Sequence, residues 1–184
     1  MCIQNQIIRL QTPPFAPLSS LSAQLNGRNE RESPPSAIAN ALEDSLSRQA
    51  RGETYAQPWY PIGDSSFLVS NGTAKWYEAY VECHELGGSL ASISSQTEND
   101  FLSGLLTALS VDSAWIGLSD TELESVFKWA EGELTFLNFA PGEPSDSGDH
   151  SVEDCVEMRR DLDFRWNDEY CFEERRFVCR KSNN

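Results

Sequence analysis

The sequence predicts an α+β fold, because two amphipathic helical segments precede a series of short strand-like segments and one long loop. The first helix is expected to follow an N-cap at Thr73 and to end at Gly87-Gly88, with these residues on one face: Trp76, Ala79, Tyr80, Cys83 and Leu86. The second is expected to begin at a capping box of Ser95 and Glu98 and to bury these residues: Phe101, Leu102, Leu105, Leu106 and Leu109.

The strands are predicted from short runs rich in β-branched and aromatic residues, separated by turn residues. We expect them over residues 66–70, 114–118, 126–129, 154–158, 164–167 and 176–179. A long loop joins Ala140 to Asp154. The five tryptophans lie in or beside these segments among apolar residues, so we expect them in the core rather than on a ligand-stacking surface.

A change in composition divides the chain into an arm and a domain. Residues 1–53 form a predicted flexible N-terminal arm, because its first 35 residues are rich in Pro, Ser, Gln and Asn and lack periodicity. The domain is expected over residues 54–181, followed by a tail at 182–184.

The end of the arm contains a possible helix over residues 36–51, where Ile38, Leu42 and Leu46 recur every four residues. This segment is shorter than the three or so heptads of a coiled coil, so a marginal amphipathic helix is favoured over an oligomerising neck. For Cys2 in the arm, a free thiol is favoured over an interchain bridge. Homo-oligomerisation through the helix or Cys2 therefore stays an open alternative.

The net charge of −15 limits the partners. Acidic and basic residues balance within residues 1–53, and seventeen acidic residues fall between Asp120 and Glu174. Such a charge repels nucleic acid and anionic lipid, while it attracts multivalent cations. No stretch approaches the ~20 apolar residues of a membrane-spanning helix, so no membrane insertion is expected.

Cysteine usage favours an oxidising, extracellular compartment. No C-x-x-C pair occurs and only two histidines exist, which disfavours a zinc ribbon. An even set of four cysteines predicts two disulfides, and three connectivities are open. The four are Cys83, Cys155, Cys171 and Cys179. No signal peptide is visible in residues 1–23, so either Met1 is not the biological start or the compartment differs, and we favour the former. The sequon at Asn71 predicts N-glycosylation, although an unmodified Asn-Gly turn explains it equally well.

Oxygen-bearing side chains in the long loop and in the segment Trp166-Asn167-Asp168 suggest a calcium site. Ca²⁺ takes about six to eight oxygen ligands from carboxylates and amides. Glu143, Glu153, Asn167 and Asp168 are of that kind, although the loop lacks EF-hand spacing. Pro144 stiffens the loop, and its preceding peptide can be cis at modest cost.

The chain resembles the C-type lectin domain over about residues 58–181. Five motifs in the family's order carry the resemblance: Trp115-Ile116-Gly117-Leu118, Glu143-Pro144-Ser145, Glu153-Asp154-Cys155-Val156, Trp166-Asn167-Asp168 and Phe177-Val178-Cys179. The resemblance implies a C-type lectin-like fold of the short form, with two helices packed on short antiparallel sheets and a long calcium-binding loop region. It also implies disulfides joining Cys83 to Cys179 and Cys155 to Cys171.

The resemblance further implies calcium-dependent carbohydrate binding, with host-defence glycan recognition as the family's typical role. The implied sugar-binding calcium site consists of Glu143, Ser145, Glu153, Asn167 and Asp168. An auxiliary calcium site is implied at Asp120, Glu124, Asp146, Glu153 and Asp154. Mannose-type members of the family carry Glu-Pro-Asn where this chain has Glu143-Pro144-Ser145, so we expect mannose-type ligands bound with weakened affinity.

Two other function classes compete with a lectin. A glycosidase would use two of the acids as a catalytic pair, but bound calcium would keep them ionised and remove the proton that an acid catalyst needs. A Ser/His/Asp hydrolase is disfavoured because no Gly-x-Ser-x-Gly motif occurs, so we expect no enzyme. A calcium-independent lectin-like domain that binds a protein partner is the alternative, and the retained acids favour the lectin.

Overall fold

The computed structural model describes residues 57–145 and 153–183. In chain order these contain β1 (Tyr60–Ile62), β2 (Ser65–Val69), α1 (Trp76–Glu85), β3 (Ser89–Leu90), α2 (Gln96–Ala108), β4 (Ser113–Ser119), β5 (Lys128–Trp129), β6 (Cys155–Arg159), a 3₁₀ helix (Arg160–Leu162), β7 (Arg165–Glu169) and β8 (Arg176–Ser182). The α+β fold that the sequence predicts is confirmed. The predicted arm, its helix over residues 36–51 and Cys2 lie outside the described residues.

The sheet has the strand order β1-β2-β8-β4-β6-β7, with β3 paired to β8 and β5 paired to β4. Most pairs are antiparallel, but β4 runs parallel to β8, with Ala114 opposite Arg176. The sheet is therefore mixed, with one parallel pair added to the antiparallel pairing that was expected. Parallel pairing is possible here because a long connection with several elements separates β4 from β8 in the chain.

Helix α1 begins later than the sequence predicts. Lys75 is its N-cap, not Thr73. The hydroxyl of Thr73 donates to Glu174 Oε2 (3.2 Å), and Ala74 forms an antiparallel bridge with Arg175, so a distant segment holds this stretch extended. The predicted inner face is buried at Trp76, Ala79 and Cys83, whereas Leu86 caps the helix and is exposed.

Helix α2 agrees more closely with its prediction. Ser95 is the N-cap, and its hydroxyl accepts from the backbone N–H of Glu98 (3.3 Å). The Glu98 carboxylate accepts from the backbone N–H (2.7 Å) and hydroxyl (2.8 Å) of Ser94 instead of completing a capping box with Ser95. The predicted apolar face is buried from Phe101 to Leu106, and Leu109 is partly buried.

The described strands differ from the predicted ones mainly at short or edge positions. The predicted strand 126–129 is reduced to Lys128–Trp129, and β1 and β3 were not predicted. Strand β8 continues to Ser182, and Asn183 donates from its backbone N–H to Asp64 O (2.9 Å). The ordered domain therefore extends into the segment that composition assigns to a tail.

Buried tryptophan side chains join distant segments of the core by hydrogen bonds. The indole N–H groups of Trp76 and Trp115 donate to Ile116 O (2.8 Å) and Ala74 O (3.0 Å). Trp166 donates to Asn99 Oδ1 on α2 (2.9 Å), which joins the helix to β7. Each buried indole N–H in these three residues has an acceptor, as burial of a polar group requires.

Two disulfides join Cys83 to Cys179 and Cys155 to Cys171, the pairing that the family resemblance implies. The first closes a separation of 96 residues and the second one of 16 residues. In the chain-entropy model such loops contribute about 5 and about 3 kcal/mol to stability. The second disulfide ties the start of β6 to the loop after β7. None of the described helices is long and apolar enough to cross a bilayer.

Candidate functional site

The hairpin of β6 and β7 carries four of the predicted site residues. Glu153 and Asp154 immediately precede β6, while Asn167 and Asp168 lie within β7. The antiparallel register places Val156 opposite Asp168. Side chains of both strands are thereby brought to one end of the sheet.

The segment before the long loop runs alongside β7. Phe139 forms a parallel bridge with Trp166, and the backbone N–H of Ala140 donates to Trp166 O (2.9 Å). A turn follows, in which the N–H of Glu143 donates to Ala140 O (3.0 Å) and Gly142 adopts φ +98°, a conformation that favours glycine. This path directs the chain toward Asp168.

Ser145 connects Glu143 to Asp168. Its backbone N–H donates to Asp168 Oδ1 (3.0 Å), and its hydroxyl donates to Glu143 Oε2 (2.7 Å). The peptide bond that joins Glu143 to Pro144 is cis. The structure therefore brings together Glu143, Ser145 and Asp168, three of the residues expected to bind calcium and sugar.

Asp168 is buried next to another acid. Its exposed fraction is 3%. Burial raises the pKa of Asp168 to about 7, the Ser145 N–H opposes the shift, and the neighbouring Glu143 carboxyl adds to it. Two crowded carboxyl groups favour either a shared proton or a bound cation.

Asn167 is also buried, and its amide group is engaged within the protein. Nδ2 donates to Asp168 O (2.7 Å) and to Glu157 Oε1 (3.3 Å). Both amide hydrogens therefore have acceptors within the protein. An incoming hydroxyl would have to replace one of these acceptors.

Sequence reasoning missed Glu157. This residue is opposite Asn167 in the β6–β7 register and is 1% exposed. Arg175 Nε is 3.1 Å from Glu157 Oε2, and Arg159 Nε is 3.7 Å from Oε1. Burial raises the pKa of Glu157, and both arginines oppose that shift. The only sequence signal was an acid in the interior of the strand predicted over 154–158, where it follows the acid at Asp154.

A second acidic group consists of Asp120, Glu124 and Asp154, with one carboxylate oxygen from each within 4.8 Å of the others. Asp120 is 5% exposed. Its Oδ2 accepts from the N–H of Ser125 (2.8 Å), while its buried Oδ1 has no partner among the described residues. Burial raises the pKa of Asp120, the Ser125 N–H opposes this, and the charges of Glu124 and Asp154 raise the pKa further.

The chemistry of this group fits Ca²⁺. A buried carboxylate oxygen without a hydrogen-bond donor, close to two further carboxylates, is costly unless a cation binds it. Glu153, assigned by resemblance to both calcium sites, is buried but is not part of this group of three. Asp146, assigned to the auxiliary site, lies outside the described residues.

Comparisons with known proteins agree with this architecture. The model of the Lectin C-type domain family matches residues 72–181. Perlucin of Haliotis laevigata is 35% identical over 127 residues, which cover 67% of this chain and 74% of perlucin. The low affinity immunoglobulin epsilon Fc receptor of Mus musculus is 36% identical over 114 residues, 61% of this chain and 32% of the receptor. The chain therefore spans about a third of that receptor's length.

Solved structures give the same result. The cow C-type carbohydrate-recognition domain of CD23, in the presence of a GlcNAc2Man3 oligosaccharide, has a TM-score of 0.62 and 33% identity, covering 71% of this chain and 98% of that domain. The mouse scavenger receptor C-type lectin carbohydrate-recognition domain has a TM-score of 0.62 and 28% identity, covering 71% of this chain and all of that domain (100%). The chain therefore belongs to the C-type lectin domain family, a family of non-enzymatic carbohydrate-binding proteins.

Proposed function

We propose that the domain binds carbohydrate through calcium, at a site formed by Glu143, Ser145, Glu153, Asn167 and Asp168. The observation that carries this proposal is the approach of Glu143 and Ser145 to the buried carboxylate of Asp168. Carboxylate, hydroxyl and amide oxygens are suitable ligands for Ca²⁺. Calcium bound there would supply open coordination positions for two neighbouring sugar hydroxyls.

A second calcium ion is proposed at Asp120, Glu124 and Asp154. The unpartnered Oδ1 of Asp120 supports this assignment. Membership of the family extends the proposed ligand set to Glu153 and Asp146, as the resemblance implies. Since this ion would neutralise acids beside β6, it would also stabilise the loop that carries the sugar site.

We propose mannose-type ligands, that is, sugars with an equatorial pair of hydroxyls. Glu143 can only accept hydrogen bonds when ionised, and it keeps the acceptor found in the mannose-type motif. The Ser145 hydroxyl already donates its proton to Glu143 (2.7 Å), so toward a ligand it retains acceptor capacity alone. An Asn in its place would offer two amide hydrogens, and the affinity for mannose is therefore proposed to be weak.

The proposed location is extracellular. Two disulfides within one domain form and persist in an oxidising compartment.

We also propose that Asn71 is glycosylated, because its side chain is exposed in the turn before α1. The proposed organisation keeps an N-terminal arm over residues 1–53 ahead of the lectin domain.

Asp168→Asn tests the proposed function. The substitution keeps the shape of the side chain and removes a carboxylate ligand, so binding to immobilised mannose in calcium should be lost. Asp163→Asn is the matched control, because Asp163 is exposed and has φ +56°, which Asn adopts readily. Its mannose binding should equal that of the wild type.

On a glycan array, the wild type should prefer mannose-like to galactose-like ligands, and a chelator should abolish binding. Sugar binding that survives the chelator would contradict the calcium-dependent proposal. Binding to a protein partner that is independent of calcium, without sugar binding, would favour the alternative function.

A further inference from the structure

Glu157 lies on β6, next to Asn167 of the proposed sugar site. It is directly opposite Asn167 across the β6–β7 pair and is almost completely buried. Its Oε1 accepts from Asn167 Nδ2 (3.3 Å). Side chains directly opposite each other in an antiparallel pair are close enough to interact.

The carboxylate of Glu157 is held in place by Arg175. Arg175 Nε donates to Glu157 Oε2 (3.1 Å), and its other nitrogens donate to Glu169 Oε2 (3.3 Å) and Glu173 Oε2 (3.2 Å). A second arginine is also near, with Arg159 Nε 3.7 Å from Glu157 Oε1. With these partners, Glu157 presents an acceptor oxygen to Asn167 in a fixed position.

An asparagine amide has two ends with opposite roles. Rotation by half a turn about χ2 exchanges Oδ1 with Nδ2, and only the oxygen binds a metal ion. Because the two atoms lie on opposite sides of Cγ, the bond from Nδ2 to Glu157 turns Oδ1 away from Glu157. In the reversed orientation, Oδ1 would face a carboxylate oxygen and both would be acceptors.

We propose that Glu157 is a positioning residue for the calcium site. Together with the backbone oxygen of Asp168, which accepts from the same Nδ2 (2.7 Å), it orients the Asn167 amide so that Oδ1, rather than Nδ2, is available as a ligand. This inference rests on the proposed function, since it concerns a ligand of the proposed calcium ion. In this proposal Glu157 acts through Asn167 and contacts neither the ion nor the sugar.

Glu157→Gln should disturb this orientation. Arg175 and Asn167 donate to different oxygens of Glu157, and Gln has an oxygen at only one of these two positions. If the Gln oxygen accepts from the charged Arg175, its amide N–H faces Asn167 and favours the reversed orientation. Calcium affinity, measured by isothermal titration, should fall about 10- to 100-fold, the usual effect of losing a residue that orients a metal ligand.

Glu169→Gln is the matched control. It removes the same charge from the same arginine, because Arg175 Nη2 also pairs with Glu169 Oε2 (3.3 Å). No hydrogen bond joins Glu169 to Asn167 among the described contacts. Its calcium affinity should stay within about twofold of the wild type, as expected for a partly exposed ion pair. Equal losses in both variants would mean that charge alone matters, and would overturn the proposal.

A charge-conserving exchange tests the orientation directly. In Glu157→Gln combined with Asn167→Asp, the Gln amide can donate to one oxygen of the introduced carboxylate, and the other oxygen is available in either orientation. The double variant should recover calcium affinity lost in Glu157→Gln, and the two changes should be strongly non-additive. Additive losses would overturn the proposal.

A measurement without calcium separates this inference from the proposed function. The side-chain amide signals of Asn167, assigned by NMR through their absence in Asn167→Asp, should show slow hydrogen exchange in the wild type and in Glu169→Gln. Exchange should be faster in Glu157→Gln. Fast exchange in the wild type would overturn the positioning role, even where Glu157→Gln does not fold. Absence of calcium binding with slow wild-type exchange would instead reject the proposed function and, with it, any role of Glu157 in metal binding.

Discussion

Two regions around strands β6 and β7 bury acids in opposite ways. In the arginine-paired region, Glu157 is surrounded by Arg175 and Arg159. In the acidic region, defined by Glu143, Asp168, Asp120, Glu124 and Asp154, the buried carboxylates of Asp168 and Asp120 accept from single backbone N–H groups and lie beside other acids. The first region contains the cations that balance its charge.

The difference separates a structural acid from a candidate ligand. When arginine pairs with a buried carboxylate, the negative charge is compensated within the protein. The pair then holds both side chains in place. A buried carboxylate next to other carboxylates is unfavourable unless something from solution compensates it. The acidic region therefore has the electrostatic character of a cation site, and the arginine-paired region has that of a support.

Arg175→Ala should have the largest effect on stability. It leaves the Glu157 carboxylate buried with its main partner removed, a change that typically costs about 3–5 kcal/mol. Thermal or urea unfolding in the presence of a chelator measures this loss without a contribution from calcium. Arg165→Ala, at an exposed position on β7, should change stability by less than about 0.5 kcal/mol. Similar losses in both variants would contradict the structural role assigned to the arginine-paired region.

Ser145→Asn should have a smaller effect, on sugar affinity. The Asn amide would add donors that the Ser145 hydroxyl lacks, so mannose should bind more tightly by about 0.5–1.5 kcal/mol. Competition binding with mannose in calcium measures the change. Ser110→Asn is the control, because Ser110 is exposed after α2 and has φ +55°, which Asn tolerates. Unchanged or weaker mannose binding in Ser145→Asn would contradict the role given to the Glu143-Pro144-Ser145 segment.

Asp120→Asn should have the smallest effect, and its sign distinguishes the two regions. In a chelator it removes one of three crowded carboxylates, so stability should rise by roughly 0.2–1 kcal/mol. Asp112→Asn is the matched control, because Asp112 pairs with Arg160 Nε at 2.8 Å. That exposed pair predicts no change or a slight loss. A loss of stability in Asp120→Asn under chelator would show that its neighbours do not repel it.

Elements defined by local periodicity were predictable from the sequence, and those defined by distant pairing were not. The apolar face of α2, with Phe101 and Leu105, follows from spacing alone. The start of α1 does not, because the bridge between Ala74 and Arg175 joins residues far apart in the chain. The same holds for the parallel alignment of β4 with β8.

The candidate site shows the same limit. Motifs identified the residue types at Glu143, Asn167 and Asp168, since their chemistry is visible in the sequence. The hydrogen bond from Ser145 to Asp168 depends on the path of the chain beside β7, and the contact of Glu157 with Asn167 depends on the strand register. Neither has a local sequence signal.

Calorimetric titration of the chelator-treated protein with Ca²⁺ tests the central claim most directly, namely that the acidic region contains two calcium sites. The wild type and Asp163→Asn should bind about two ions per chain, whereas Asp120→Asn and Asp168→Asn should each lose one, as expected if each removes an essential oxygen ligand from a separate site. The absence of binding heat in the wild type, or an unchanged stoichiometry in both ligand variants, would contradict it.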